Sequence, residues 1–147
     1  MDRKNKAKQL FLKGNNCAQA VFAAFSDITG IDEKSAFFIA SSFGGGMGHI
    51  GETCGAVTGM LMAAGPLLGY GENATAEVKQ GYYKEVKALT DEFKAEFGGL
   101  RCPALMARLN GGEYNLPDDE DYKSRPCLIF VEKAVEILEK KLERQGE

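Results

Sequence analysis

The residues from Gly44 to Gly59 constrain the fold of this chain more than any other stretch. Three consecutive glycines lead into Met47-Gly48-His49, and further glycines follow at positions 51, 55 and 59. In a helix, these last three would lie one turn apart on a single face. Each glycine inside a helix costs about 1 kcal/mol relative to alanine, so such a face needs a reason. We expect it to let another backbone come close, and we expect the open loop to leave Cys54 accessible.

The rest of the chain is patterned as helices. Apolar residues recur at helical spacing in successive segments, and no segment alternates as a strand would. Helix caps are predicted at Asn15-Asn16 and at Asp32. A long helix within residues 72–97 is predicted to bury one seam along its whole length: Val78, Tyr82, Val86, Leu89, Phe93 and Phe97. A helix over residues 52–68 is apolar on nearly all sides. We therefore predict an all-α fold, a single domain over residues 1–147, with five or six helices bundled around the central glycine-rich helix.

Composition and charge exclude several classes of protein. The 147 residues carry a net charge of −3 and a pI near 5.3, which argues against a nucleic-acid-binding face. The charged N-terminus is not followed by an apolar signal core. The most apolar run, residues 56–70, is too short for a membrane span and is broken by Gly65-Pro66. We expect a cytoplasmic protein that neither inserts into a membrane nor binds nucleic acid.

Four cysteines, at positions 17, 54, 102 and 127, are the candidate functional residues. No two of them have the short spacing of a zinc knuckle or a thioredoxin motif, so any shared site must be assembled by the fold. Each is predicted to lie where a helix starts, where unpaired N–H groups and the helix dipole stabilise a thiolate. Arg101 and Arg125 are close enough in sequence to add to that effect. The alternative is that the cysteines are small buried core residues.

The order of these motifs resembles a known family. Cys17 lies within Asn16-Cys17-Ala18-Gln19-Ala20, Phe43-Gly44-Gly45-Gly46 comes next, and residues 54–59 read C-G-A-V-T-G before two later single cysteines. This pattern resembles the four-cysteine redox-active family named for a cysteine, a GCAxxG-type box and two further cysteines. The resemblance spans residues 5–140 and implies redox activity of the cysteines. It also implies a partner from an oxidoreductase or transporter system.

The glycine loop offers further candidate groups. Gly46, Gly48 and Gly51 match the letters of a dinucleotide-binding motif, but no strand precedes them, so we do not predict nucleotide binding. Backbone amides at Gly45, Gly46, Gly48 and Gly55 are instead candidates to hold a small anion, a cofactor or a thiolate sulfur. His49, the only histidine, is a candidate general base, proton donor or metal ligand. The alternative for His49 is a loop residue whose ring hydrogen-bonds a carbonyl.

Three functions fit these residues. In the first, the cysteines cycle between dithiol and disulfide, with Cys54 as the attacking thiol and the pairing undetermined. In the second, the thiolates of Cys17, Cys54, Cys102 and Cys127 bind zinc or an iron–sulfur cluster. In the third, the cysteines are incidental and the helical surface binds a partner helix or a second copy of the chain as a homodimer. The first two require the four cysteines to lie together in the fold.

Overall fold

The computed structural model describes residues 2–145, and within them the chain is helical apart from its loops and one isolated β-bridge. This confirms the all-α prediction. The described residues contain more helices than the five or six predicted, because several are short segments separated by tight turns. The helices are α1 (Arg3–Leu12), α2 (Cys17–Ala23), α3 (Ser26–Thr29), α4 (Glu33–Ala40), α5 (Gly55–Leu68), α6 (Ala76–Phe97), α7 (Cys102–Asn110), α8 (Glu120–Ser124) and α9 (Leu128–Gln145), with a 3-10 turn at Ser41–Phe43.

Side chains at the predicted caps fix where helices begin. The Asn16 side chain accepts a hydrogen bond from the Gln19 N–H at 2.8 Å, and the Gln19 side chain accepts one from the Asn16 N–H at 2.9 Å. This reciprocal pair is a capping box, and it satisfies two amides that the first turn of α2 leaves unpaired. Asp32 caps α4 by accepting from the Ser35 N–H. Both predicted caps are confirmed.

The centre of the fold is a pair of helices, α2 and α5, rather than α5 alone. Helix α2 is almost wholly buried and packs against α1, α4, α5 and α9. Helix α5 buries only part of its surface, since Leu61 and Met62 are half-buried. The two helices meet at Gly59, where an added Cβ would lie 2.6 Å from the carbonyl oxygen of Ala18. The predicted close approach of another backbone is thus confirmed at Gly59.

Only the second half of the predicted α6 seam is buried. Leu89, Phe93 and Phe97 are buried, and the Phe97 ring meets the ring of Phe130 in α9 edge-on at 4.8 Å between centroids. Val78, at the other end of the helix, is 53% exposed. The 22-residue α6 therefore extends beyond the partners that cover its second half. The prediction of a core seam beginning at Val78 is wrong.

The two longest helices are α6 and α9, with 22 and 18 residues. Both carry charged side chains along their length. Within residues 2–145, no helix combines the length and the apolar character needed to cross a bilayer.

Candidate functional site

All four cysteines lie where a helix begins. Cys17 is the first residue of α2 and Cys102 is the first residue of α7. Cys54 occupies the N-cap position of α5, and Cys127 immediately precedes α9. The predicted placement is confirmed at all four positions.

The fold brings these four cysteines to one cavity of about 580 Å³. All four are free thiols in the structure. The requirement shared by the two site hypotheses, that the cysteines lie together, is met. The cavity wall is formed by residues from both halves of the chain: Phe11, Gly14, Asn16, Cys17, Gly44, Gly45, His49, Cys54, Gly55, Cys102, Leu105, Met106, Ser124, Arg125, Pro126, Cys127 and Phe130.

A short antiparallel bridge joins the segments that carry Cys54 and Cys102. The backbone N–H of Cys54 donates to the carbonyl oxygen of Leu100 at 2.7 Å, and that of Cys102 donates to Glu52 at 2.8 Å. These two bonds flank the bridged pair Thr53 and Arg101. Because side chains alternate along paired strands, Cys54 and Cys102 share the face opposite to Thr53 and Arg101. No pattern of residues around Thr53 or Arg101 predicts this bridge.

Gly55 lets Cys17 approach Cys54. A Cβ at Gly55 would lie 3.2 Å from the Cβ of Cys17 and 2.8 Å from the carbonyl oxygen of Phe43. Any larger residue would therefore push α5 away from the first turn of α2. Gly51 was predicted to share the helical face with Gly55, but it lies in the loop before α5, with φ of +80°.

The glycine loop winds in the left-handed sense over five consecutive residues. The φ angles from Gly45 to His49 all lie between +58° and +72°, although Met47 and His49 are not glycines. Non-glycine residues rarely adopt this conformation, which costs about 1–2 kcal/mol for each of them. The loop is held by a hydrogen bond of 2.9 Å from the Glu52 N–H to the Gly46 carbonyl. A Cβ at Gly46 would lie 2.9 Å from that of Cys102, so the loop packs closely on the cysteine site.

The predicted ligand-binding glycines divide into two groups. Gly45 and Gly55 line the cavity, whereas Gly46 and Gly48 are not part of its wall. Gly45 lies beneath the ring of His49, where an added Cβ would be 2.1 Å from Nδ1. His49 itself is exposed and lines the cavity. Its imidazole is therefore placed between solvent and the cysteines.

Burial raises the pKa values of all four thiols. It raises the pKa of Cys54 to about 12, and it raises the pKa of Cys17 well above its ordinary value. The pKa values of Cys102 and Cys127 rise for the same main reason. The N–H groups of Ala56 and Val57 do lower the pKa of Cys54, as expected at a helix N-terminus, but burial outweighs them. Burial thus opposes the thiolate form that the helix starts were expected to favour.

Cys102, rather than Cys54, is the accessible thiol of the bridged pair. Cys54 is 3% exposed, which contradicts the expectation that the glycine loop leaves it accessible. Cys102 is half-buried, and burial alone raises its pKa. The charge of Cys102 raises the pKa of Cys127, of Cys54 and of Cys17. The four thiols are therefore coupled electrostatically, and a charge on Cys102 disfavours a charge on the other three.

The two arginines near cysteines in sequence differ in what they do. The guanidinium of Arg101 donates to the carbonyl oxygen of Gly51 at 3.2 Å and lies 3.9 Å from the Glu52 carboxylate, and it does not shift the pKa of Cys102. The prediction for Arg101 is wrong. Arg125 lines the cavity and lowers the pKa values of Cys17 and Cys127, as predicted, but by less than burial raises them.

Met106 is a site residue that sequence reasoning missed. The Cys127 thiol donates a hydrogen bond to the Met106 sulfur, at 3.4 Å between the two sulfur atoms. Met106 follows Cys102 by four residues in α7, so the two share one face of that helix. The spacing of four residues could have identified Met106 from the sequence, because it places Met106 on the same helix face as Cys102.

The four cysteines are not arranged as a ready metal site. Among residues 2–145, no group of three histidine, cysteine or acidic side chains is placed to hold one ion. A tetrahedral centre requires four ligands at bonding distance from one point.

The comparison with known proteins rests on one family. No curated protein and no solved structure matches this chain. A family model described as "Putative redox-active protein (C_GCAxxG_C_C)" matches residues 15–141. That range contains all four cysteines, and in this chain the central box has its cysteine before the glycine, at Cys54-Gly55. The chain belongs to the C_GCAxxG_C_C family.

Proposed function

We propose that this protein carries electrons by reversible conversion of a cysteine pair between dithiol and disulfide. The observation that supports this most strongly is that four thiols from four helix starts line one cavity. Buried cysteines used only for packing have no reason to converge in this way. Membership of a redox-active family agrees with the proposal.

Cys102 and Cys54 are the proposed pair. Their segments are already joined by two backbone hydrogen bonds, and both side chains lie on one face of the bridge. Residues on that diagonal have Cα atoms about 7–8 Å apart in regular sheet, slightly more than the roughly 4.4–6.8 Å of disulfides. A small closing movement of the bridge would therefore bring the sulfurs within bonding distance.

The reaction is a thiol–disulfide exchange with an external disulfide as the oxidant. The thiolate of Cys102 attacks one sulfur of that disulfide, forms a mixed disulfide and releases a thiol. Cys54 then attacks the Cys102 sulfur and releases the second thiol. The protein loses two electrons and two protons, and both appear in the reduced acceptor. His49, at the solvent side of the cavity, is the proposed proton acceptor for Cys102.

Peptide mapping after oxidation tests this proposal. The reduced protein is treated with a small disulfide, its free thiols are blocked in denaturant, and its disulfides are identified by mass spectrometry. We expect a Cys54–Cys102 bond in the wild type and in Cys17→Ser, and none in Cys102→Ser. A protein with four blocked thiols after oxidation would overturn the proposal, and a different pair would overturn the assignment.

A four-thiolate metal centre is the second candidate, because the same convergence of sulfurs supports it. It would require the four side chains to close around one ion, since no three in residues 2–145 are placed to do so. An absorption spectrum of protein purified without oxygen tests for iron, and elemental analysis tests for zinc. Visible bands that bleach on reduction, or one bound zinc per chain, would favour this candidate over the first.

A further inference from the structure

Arg125 differs from the other arginines of the chain in its surroundings. The sequence contains five arginines, and four of them form ion pairs with carboxylates: Arg3, Arg101, Arg108 and Arg144. Within residues 2–145, no carboxylate lies at ion-pair distance from Arg125. Arg125 is instead half-buried and lines the cavity.

The position of the Arg125 guanidinium is fixed by other groups. Its central carbon lies 3.6 Å from the centre of the Phe11 ring, which gives a cation–π contact. One nitrogen, Nη1, donates to the carbonyl oxygens of Phe11 and, at 3.3 Å, of Asn15. These carbonyls lie at and just beyond the end of α1, where the helix dipole favours a cation.

These contacts leave donors of the guanidinium for a ligand. A guanidinium has five N–H donors, and both of these hydrogen bonds come from Nη1. The remaining Nε and Nη2 donors form the fork that pairs with a carboxylate. The cavity that Arg125 lines is walled largely by apolar side chains, among them Leu105, Met106 and Phe130. Its volume of about 580 Å³ is in the usual range for small-molecule sites.

We propose that the cavity binds a small disulfide bearing a carboxylate, with Arg125 pairing with the carboxylate and the ligand's sulfurs facing the cysteines. This inference rests on the proposed function and names the acceptor class. An apolar chain joining the carboxylate to the disulfide would cover the apolar wall.

The exchange balances with this ligand as the oxidant. The Cys102 thiolate attacks one ligand sulfur, the ligand S–S bond breaks, and the first thiol leaves with the proton lost by Cys102. Cys54 attacks the mixed disulfide and displaces the second thiol, which takes the proton of Cys54. A ligand disulfide with a carboxylate on each half yields two carboxylate-bearing thiols and one protein disulfide.

A comparison of two matched disulfides tests the inference. The reduced protein is oxidised by 3,3′-dithiodipropionate, which is anionic, and by bis(2-hydroxyethyl) disulfide, which is neutral. Each rate is divided by the rate of the same disulfide with free 2-mercaptoethanol, which removes differences in intrinsic reactivity. We expect the wild type to favour the anionic disulfide by about tenfold or more, the usual worth of a charge-assisted hydrogen bond.

Two variants separate ligand binding from a structural role of Arg125. Arg125→Gln should lose the preference, while Arg125→Lys, which keeps the charge, should retain part of it. An equal loss of rate with both disulfides in Arg125→Gln would overturn the inference, as would a wild-type ratio near one. If neither disulfide oxidises the wild type, the proposed function fails as well; if both do so without preference, only this inference fails.

Discussion

Cys54 and Cys102 stand diagonally across the same antiparallel bridge, each donating its backbone N–H to the segment that carries the other. The two cysteines are 48 positions apart in sequence. The bridge makes their separation a property of the backbone rather than of flexible side chains. It also places one half-buried thiol beside one buried thiol, which suits an attacking and a resolving cysteine.

The four thiols should react with an alkylating reagent in a defined order. Because the thiolate is the reactive form, Cys102 should be modified first in the native protein at about pH 8, and Cys54 should be among the slowest. Timed mass spectrometry with iodoacetamide measures this order. In denaturant the four rates should become similar, and a native Cys54 as reactive as Cys102 would contradict the account.

Gly46→Ala should destabilise the protein more than Gly48→Ala. Both glycines have positive φ, +72° and +58°, so both variants carry the cost of a left-handed alanine. Only at Gly46 does the new Cβ also meet backbone, at 2.7 Å from the carbonyl oxygen of Glu52, whereas at Gly48 the nearest atom is 3.5 Å away. We expect Gly46→Ala to lower the free energy of unfolding by about 1–3 kcal/mol more than Gly48→Ala does, as measured by urea unfolding. Equal losses would show that the loop does not pack on the cysteine site as described.

Gly59→Ala should destabilise the protein, whereas Gly81→Ala should stabilise it. Both residues are inside helices, where alanine is intrinsically better than glycine by about 1 kcal/mol. A Cβ at Gly59 would lie 2.6 Å from the carbonyl oxygen of Ala18, while at Gly81 there is open space. In thermal unfolding, Gly59→Ala should lower the Tm and Gly81→Ala should raise it. A neutral or stabilising Gly59→Ala would mean that α2 and α5 are not held in close contact.

The stability provided by Cys54 should decline at alkaline pH. Burial raises the pKa of the folded-state thiol to about 12, above the roughly 8.5 of an unfolded cysteine. A raised pKa gives stability that is fully present below the unfolded value and is lost as pH rises toward the folded one. The advantage of the wild type over Cys54→Ser should therefore shrink by about 1–2 kcal/mol between about pH 8 and pH 10. The difference between the two proteins is compared because lysines and tyrosines titrate equally in both. An advantage that stays constant would contradict the burial of Cys54.

The sequence predicted the local features of the site because local rules determine them. Asn16 and Asp32 are caps through hydrogen bonds within one turn of their own helices. The helix starts at the four cysteines follow from the same kind of signal. Gly59 was identifiable because an unexplained glycine inside a helix indicates a close approach.

The features that the sequence did not predict depend on which segments meet. The bridge at Thr53 and Arg101 depends on two loops far apart in sequence. The seam beginning at Val78 had helical spacing, but that end of α6 is covered only in part: Tyr70 packs against Tyr82, while Val78 stays 53% exposed. The pKa of Cys54 was misjudged because helix position favours a thiolate, while burial, which only the fold determines, disfavours it more strongly.

Counting free thiols at controlled redox potential tests the central claim most directly. The protein is equilibrated in dithiothreitol buffers of increasing oxidised fraction, and its free thiols are then alkylated in denaturant. Mass spectrometry of the intact protein gives the number of alkylated thiols. We expect a reversible change from four labelled thiols to two, with a single two-electron midpoint, and loss of that change in Cys102→Ser. Four labelled thiols at every potential would contradict it.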